Sequence, residues 1–189
     1  MRAFLFILFL VLISGASAQE FEKDKKMIYW SSTPLTWDNF KKRAPRGSNY
    51  DAETNSAIDL QMAVSMDSVV VAVFTYFDPT SSWKKKKKLT DALLKHEQLH
   101  FDITEYHARL LRKELLNTVF KKPQTVGKTI TKLFNQQIKK WKKMQDAYDK
   151  ETKHSTVVDK QAEWESNVAN YLSETEEFSE PVLRMAISK

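Results

Sequence analysis

The chain reads as an α+β protein, a small antiparallel sheet followed by a bundle of about three long helices. Three observations lead there. The 189 residues include only 3 glycines and 5 prolines, which argues against a loop-rich sandwich. Between residues 57 and 77, apolar side chains alternate with the two-residue period of a half-buried strand. From residue 89 onward the period changes to that of amphipathic helices. A hydrophobic share of 42% and a charged share of 29% are ordinary for a globular chain.

The elements follow in order. Arg2, the apolar run at 3–13 and Ala16-Ser17-Ala18 have the layout of a secretory signal peptide. The run is too short to cross a bilayer. Residues 1–18 are therefore expected to direct export and be cleaved. That leaves 19–189 as a single domain without a transmembrane anchor, periplasmic or extracellular. Cysteine is absent, so neither a lipid anchor nor a disulfide is available. Stability must come from the core, helped by a bound metal.

Residues 20–26 are charged and read as a leader, and 27–30 as a short strand. Pro34 to Phe40 reads as a turn into one helical turn, with Thr36 or Asp38 as its cap. Residues 41–54 are polar and include Pro45 and Gly47, which suggests a surface loop. Ile58, Leu60, Met62 and Val64 alternate along a first strand. Met66-Asp67-Ser68 turns the chain, and the β-branched stretch 69–77 returns beside it as a hairpin. Three helices are expected: 89–119; 129–148, after Pro123 and Gly127; and 157–173. The acidic segment 173–180 leads into a tail.

The chemistry is concentrated in His96-Glu97-Gln98-Leu99-His100, inside the first long helix. Two histidines four residues apart are offset by about 40° and stand one turn apart on a helix. Their rings can converge on one Zn2+ at about 2.0–2.1 Å. Glu97 is then placed to act as general base toward a zinc-activated water.

A catalytic zinc takes three protein ligands and keeps one position open. The chain has 4 histidines, so two remain. A metzincin would need glycine at 103 and histidine at 106, where this chain has Ile103 and Tyr106. His107 lies about 10 Å further along the helix and cannot share the ion. His154, just past the second helix, is the better third ligand, with Glu151 and Glu163 as carboxylate competitors. Tyr148 is a candidate to donate to a developing oxyanion or, equally, a buried aromatic. Asp102 points away from the metal and is expected to lock the helix or orient a neighbouring element.

His96-Glu97-Gln98-x-His100-Phe101-Asp102-Ile103 resembles the signature of a bacterial domain-of-unknown-function family described as predicted secreted zinc-dependent proteases. Leu35-Thr36-Trp37-Asp38-x-Phe40, the 109–115 stretch, Tyr148-Asp149-x-Glu151-Thr152-x-His154, Gln161 and Trp164 extend the likeness over residues 30–172. The chain departs from the pattern at Leu99 and Ser155, where the family often has glycine. The resemblance implies that His154 belongs to the site, and it implies no substrate.

Two functions are therefore expected in competition. One is an exported peptidase acting on peptide or protein substrates. The other is a zinc-stabilised binding or envelope protein without turnover, which a closed four-ligand site would favour. Lys84, Lys85, Lys86, Lys87 and Lys88 offer an anionic-surface contact, but their bland reading is a solvated stretch, and no nucleic-acid partner is expected.

Overall fold

The computed structural model describes residues 21–31, 33–87 and 89–188. The expected export segment, 1–18, lies outside them. The elements run β1 (Ile28–Tyr29), a 3-10 turn (Trp37–Asn39), β2 (Lys42–Arg43), β3 (Ala52–Glu53), β4 (Ser56–Val64), β5 (Ser68–Phe77) and β6 (Trp83–Lys84). Helices α1 (Asp91–Leu116), α2 (Pro123–Thr152) and α3 (Val158–Glu174) follow, then a second 3-10 turn (Glu176–Phe178) and β7 (Val182–Ala186). The α+β class holds.

β4 and β5 form the expected hairpin, in register from Ser56↔Phe77 to Val64↔Val69. Its turn is held by Ser65, whose main-chain N–H donates to Ser68 C=O and whose Oγ accepts from Ser68 N–H. On the other side of β5, β1 pairs with one end and β7 with the other, both antiparallel. Among the described residues β4 pairs with β5 alone, so its outer edge is free. The hydrogen bond from Asp78 N–H to Asn55 C=O sets the alternation. Main-chain groups of Ser56, Ile58 and Leu60 therefore point to that free edge.

α1 is the buried spine. The sheet packs on one side of it through Ile58, Val71 and Val73 against Ala108, Leu111 and Leu115. α2 and α3 pack on the other through Leu99, Ile103, Trp141, Tyr148 and Val168. Several polar side chains on this helix are consequently buried, Glu105, Arg109 and Arg112 among them, and the first pairs with the other two. Glu105 binds Arg109 at 3.0 Å and Arg112 at 2.9 Å. Arg112 also donates to the carbonyls of Val73, Phe178 and Ser179, tying sheet and C-terminal segment together.

Several expectations are corrected. The 41–54 stretch is not wholly loop: β2 and β3 flank β6 in a second small sheet, β2 parallel and β3 antiparallel to it. Strands of two residues carry no readable period. This sheet takes two of the lysines inward: Lys84 Nζ donates to Trp37 C=O, and Lys85 pairs with Asp51 at 2.9 Å. Only Lys86 and Lys87 remain exposed among the described lysines of the run. α2 starts at Pro123, in the first turn where a missing N–H costs nothing, and continues through Gly127. The roughly 1 kcal/mol cost of an interior glycine is offset by the fully buried Val126 and Ile130 on either side. The tail is a strand, β7, with Leu183 buried against the core. No described helix is long and apolar enough to cross a membrane.

Candidate metal centre

α1 is capped by Thr90, whose Oγ1 accepts from Leu93 N–H at 3.1 Å. The next turns carry His96 and Glu97, only 2% and 3% exposed because sheet and helices enclose α1. His96 Nε2 and His100 Nε2 are 3.3 Å apart, with ring planes at 87°. Facing them from the last turns of α2, Asp149 Oδ1 lies 3.2 Å from His96 Nε2 and 3.1 Å from His100 Nε2. A tetrahedral ion with bonds of 2.0–2.1 Å sets its ligand atoms about 3.3–3.4 Å apart. The three separations fall close to the edges of such a tetrahedron. Among the described residues, His96, His100 and Asp149 form a group able to hold a metal ion.

Asp149 is thus the third member of this group, and the expected His154 is not among the three. Because α2 continues to Thr152, Asp149 still projects from the helix into the site, whereas His154 follows in the loop. Its Nδ1 is 3.1 Å from Asp149 Oδ1, its side chain is 42% exposed, and its ring packs on Tyr50 at 4.3 Å. The loop is strained: Lys153, His154 and Ser155 have φ of 45°, 53° and 71°. Left-handed backbone costs a residue with a side chain about 1–2 kcal/mol. The carboxylate competitors face elsewhere. Glu151 accepts from Trp164 Nε1, and Glu163 pairs with exposed Lys160.

Each histidine is fixed from behind by a glutamine. His96 Nδ1 is 3.0 Å from Gln161 Oε1, and His100 Nδ1 is 2.6 Å from Gln145 Oε1. Tyr148 belongs to this supporting layer. It is fully buried, its ring stacks on His96, and its hydroxyl donates to Gln161 Oε1 and His96 C=O. Burial pushes its phenol far up. With its hydroxyl engaged by these two acceptors and its ring outside the cavity lining, Tyr148 fits the buried-aromatic alternative rather than the oxyanion role. Asp102 is not among the three donors: its Oδ1 accepts from Trp30 Nε1 and Gln98 Nε2, anchoring the N-terminal segment. His107 is no ligand either. It is buried against Gln137 and Met144 Sδ.

Charge in the site is polarised. Burial alone would raise the Asp149 pKa, but hydrogen bonds from His100 and His96, with the charge of His100 and of His154, hold it well below the usual carboxylate range. Burial disfavours charge on His100, yet Asp149 and Glu97 raise its pKa overall. Burial raises the pKa of Glu97, opposed by the two histidines. Glu97 Oε2 is buried without a hydrogen-bond partner. This orphaned oxygen lies beside two imidazoles and a carboxylate, a nitrogen and oxygen donor set that suits zinc. Above it opens a cavity of about 1000 Å³, lined by His96, Glu97, His100, Asp149 and His154, by the β4 edge, and by Phe134 and Trp141 of α2.

Asp149, Gln145 and Gln161 contact the histidine pair, and the sequence alone left them without a role. A signal for two of them exists: Gln145 and Asp149 are spaced i, i+4 beside the Trp141–Tyr148 stripe of a lysine-rich helix.

The sequence profile of a family described as bacterial protein of unknown function (DUF922) matches residues 17–155. None of the curated proteins and none of the solved structures compared matches the chain.

Proposed function

The chain belongs to the DUF922 family of bacterial proteins, and from its site we propose that it is an exported, zinc-dependent hydrolase that cuts peptide bonds. The observation that carries this reading is Glu97, a buried carboxylate with an unpartnered oxygen beside the histidine pair and facing the cavity. A purely structural metal site has no use for such a group, and leaving it unpaired costs about 1–3 kcal/mol.

In this reading His96, His100 and Asp149 hold the zinc, which when bound supplies a Lewis acid that polarises a carbonyl and makes water more acidic. Glu97 Oε2 accepts the proton of the attacking water and returns it to the leaving amine. Its raised pKa, set by burial, suits it to take that proton up. The free edge of β4 supports a polypeptide substrate. Main-chain groups of Ser56 and Ile58 border the cavity and can pair with an extended peptide.

Elemental mass spectrometry of the purified protein, beside a Glu97→Gln variant on a peptide library, tests the proposal. About one zinc per chain in both, with cleavage by wild type alone, is the expected result. Zinc without cleavage in either would favour the second reading, a zinc-stabilised binding protein. That alternative draws on His154, whose Nδ1 lies 3.1 Å from Asp149 Oδ1 and offers a fourth donor to close the site.

A further inference from the structure

We infer that Gln145 and Gln161 are the positioning residues of the metal centre: as neutral acceptors they force both histidines to carry their proton on Nδ1 and to present Nε2 to the ion. The inference rests on the metal reading above and extends it to side chains from two other helices.

The argument lies in what fixes the glutamines themselves. An amide can turn either its oxygen or its NH2 toward a ring nitrogen, so a histidine tautomer follows only where the amide is pinned. Both are pinned. Gln145 Nε2 donates to His100 C=O at 2.9 Å and Thr104 Oγ1 at 3.2 Å, and Thr104 is held by Ser56 and Trp141. Gln161 Nε2 donates to Glu165 at 2.9 Å, while its Oε1 accepts from the Tyr148 hydroxyl at 2.9 Å. Each Oε1 therefore faces the ring, and a bare Nδ1 lone pair opposite it at 2.6 or 3.0 Å would be repelled. A proton must therefore sit on Nδ1, and Nε2 of each ring faces Asp149 Oδ1, donating to it while no ion is bound and left as the nitrogen that an ion takes over.

The choice of an amide has its own consequence. Histidine ligands commonly donate their second N–H to a carboxylate or a carbonyl, and a carboxylate makes the ring more basic. Here both acceptors are neutral, so Asp149 is the one anion in the ligand group. A dication held there keeps net positive charge, which favours polarisation of a carbonyl in the cavity.

Nitrogen-15 imidazole spectra of the metal-free protein in mildly alkaline buffer read the tautomers directly, and zinc titration against a competing chelator reads affinity. The variants are Gln145→Met and Gln161→Met, which fill the space without an acceptor, and Gln145→Glu and Gln161→Glu, which keep one. Wild type should show Nδ1 protonated on His96 and His100. Each methionine variant should lose this at its own histidine only and weaken zinc binding by about 10–100-fold. Each glutamate variant should retain the tautomer and bind zinc at least as tightly as wild type. Methionine variants with unchanged tautomers and zinc affinity would overturn the inference. So would glutamate variants as weak as the methionine ones, since packing alone would then be responsible. Correct tautomers in a wild type that binds no zinc would overturn the metal reading while leaving the positioning role standing.

Discussion

Tyr148 lies almost flat against His96, ring centroids 4.6 Å apart at 26°, and the two residues donate to the same oxygen, Gln161 Oε1. The tyrosine is thus the back wall of the site. Tyr148→Phe keeps the wall and removes one hydrogen bond. Zinc content should be unchanged and peptide cleavage should fall by less than about tenfold, matching the roughly 1 kcal/mol net value of one hydrogen bond. Tyr148→Ala opens a cavity behind His96 and should destabilise the protein by about 3–5 kcal/mol. Steady-state kinetics and urea denaturation check the pair. A loss of 100-fold or more in the phenylalanine variant would restore the hydroxyl to a catalytic role.

Asp149→Ala removes the carboxylate that faces both Nε2 atoms. Zinc content measured by elemental mass spectrometry should fall to background. His154→Ala should keep about one zinc per chain, because His154 approaches the group through Asp149 and from an exposed loop. The reverse pattern would make His154 the ligand.

His107 supplies a pH prediction independent of metal. Burial, with Lys140 nearby, lowers its pKa from 6.5 to about 4. A histidine depressed in the folded state favours the neutral form, so its contribution is complete above the unfolded value near 6.5. It is lost as pH falls from there toward 4. The loss between pH 7 and pH 4 is about 3 kcal/mol by linkage. Denaturation of wild type and His107→Phe at both pH values should show that much less acid sensitivity in the variant. Equal sensitivity would refute the buried neutral histidine.

Arg112→Met leaves Glu105 with Arg109 alone and frees the carbonyls of Val73, Phe178 and Ser179. Stripping one partner from a buried ion cluster costs about 3–5 kcal/mol. Urea unfolding should register it. Hydrogen exchange should rise first in β7, which Arg112 fastens through the preceding turn.

What the sequence made legible was whatever repeats at short range. The β4–β5 hairpin announced itself because side chains from Ile58 to Val64 alternate and Ser65 to Ser68 can turn the chain. His96, Glu97 and His100 were visible because four residues make one helical turn. Asp149 was not, since its meaning depends on α2 lying across α1, a pairing 49 residues apart for His100. The end of α2 mattered as well. With the helix ended at 148, His154 was the natural ligand; about one more helical turn was needed to choose between them, and left-handed Lys153 supplies the actual stop. β2, β3 and β6 were hidden by their brevity, and β7 by the acidic run before it.

The span of these contacts also governs when the site comes into being. His100 meets Gln145 across 45 residues, and His96 meets Gln161 across 65. A chain in which only α1 has formed holds two unsupported histidines and one carboxylate. Each further helix to dock adds a part: α2 brings Asp149 and Gln145, and α3 brings Gln161. The donor group of His96, His100 and Asp149 therefore exists only where α2 lies against α1, and its full set of supporting hydrogen bonds only where α3 lies there too.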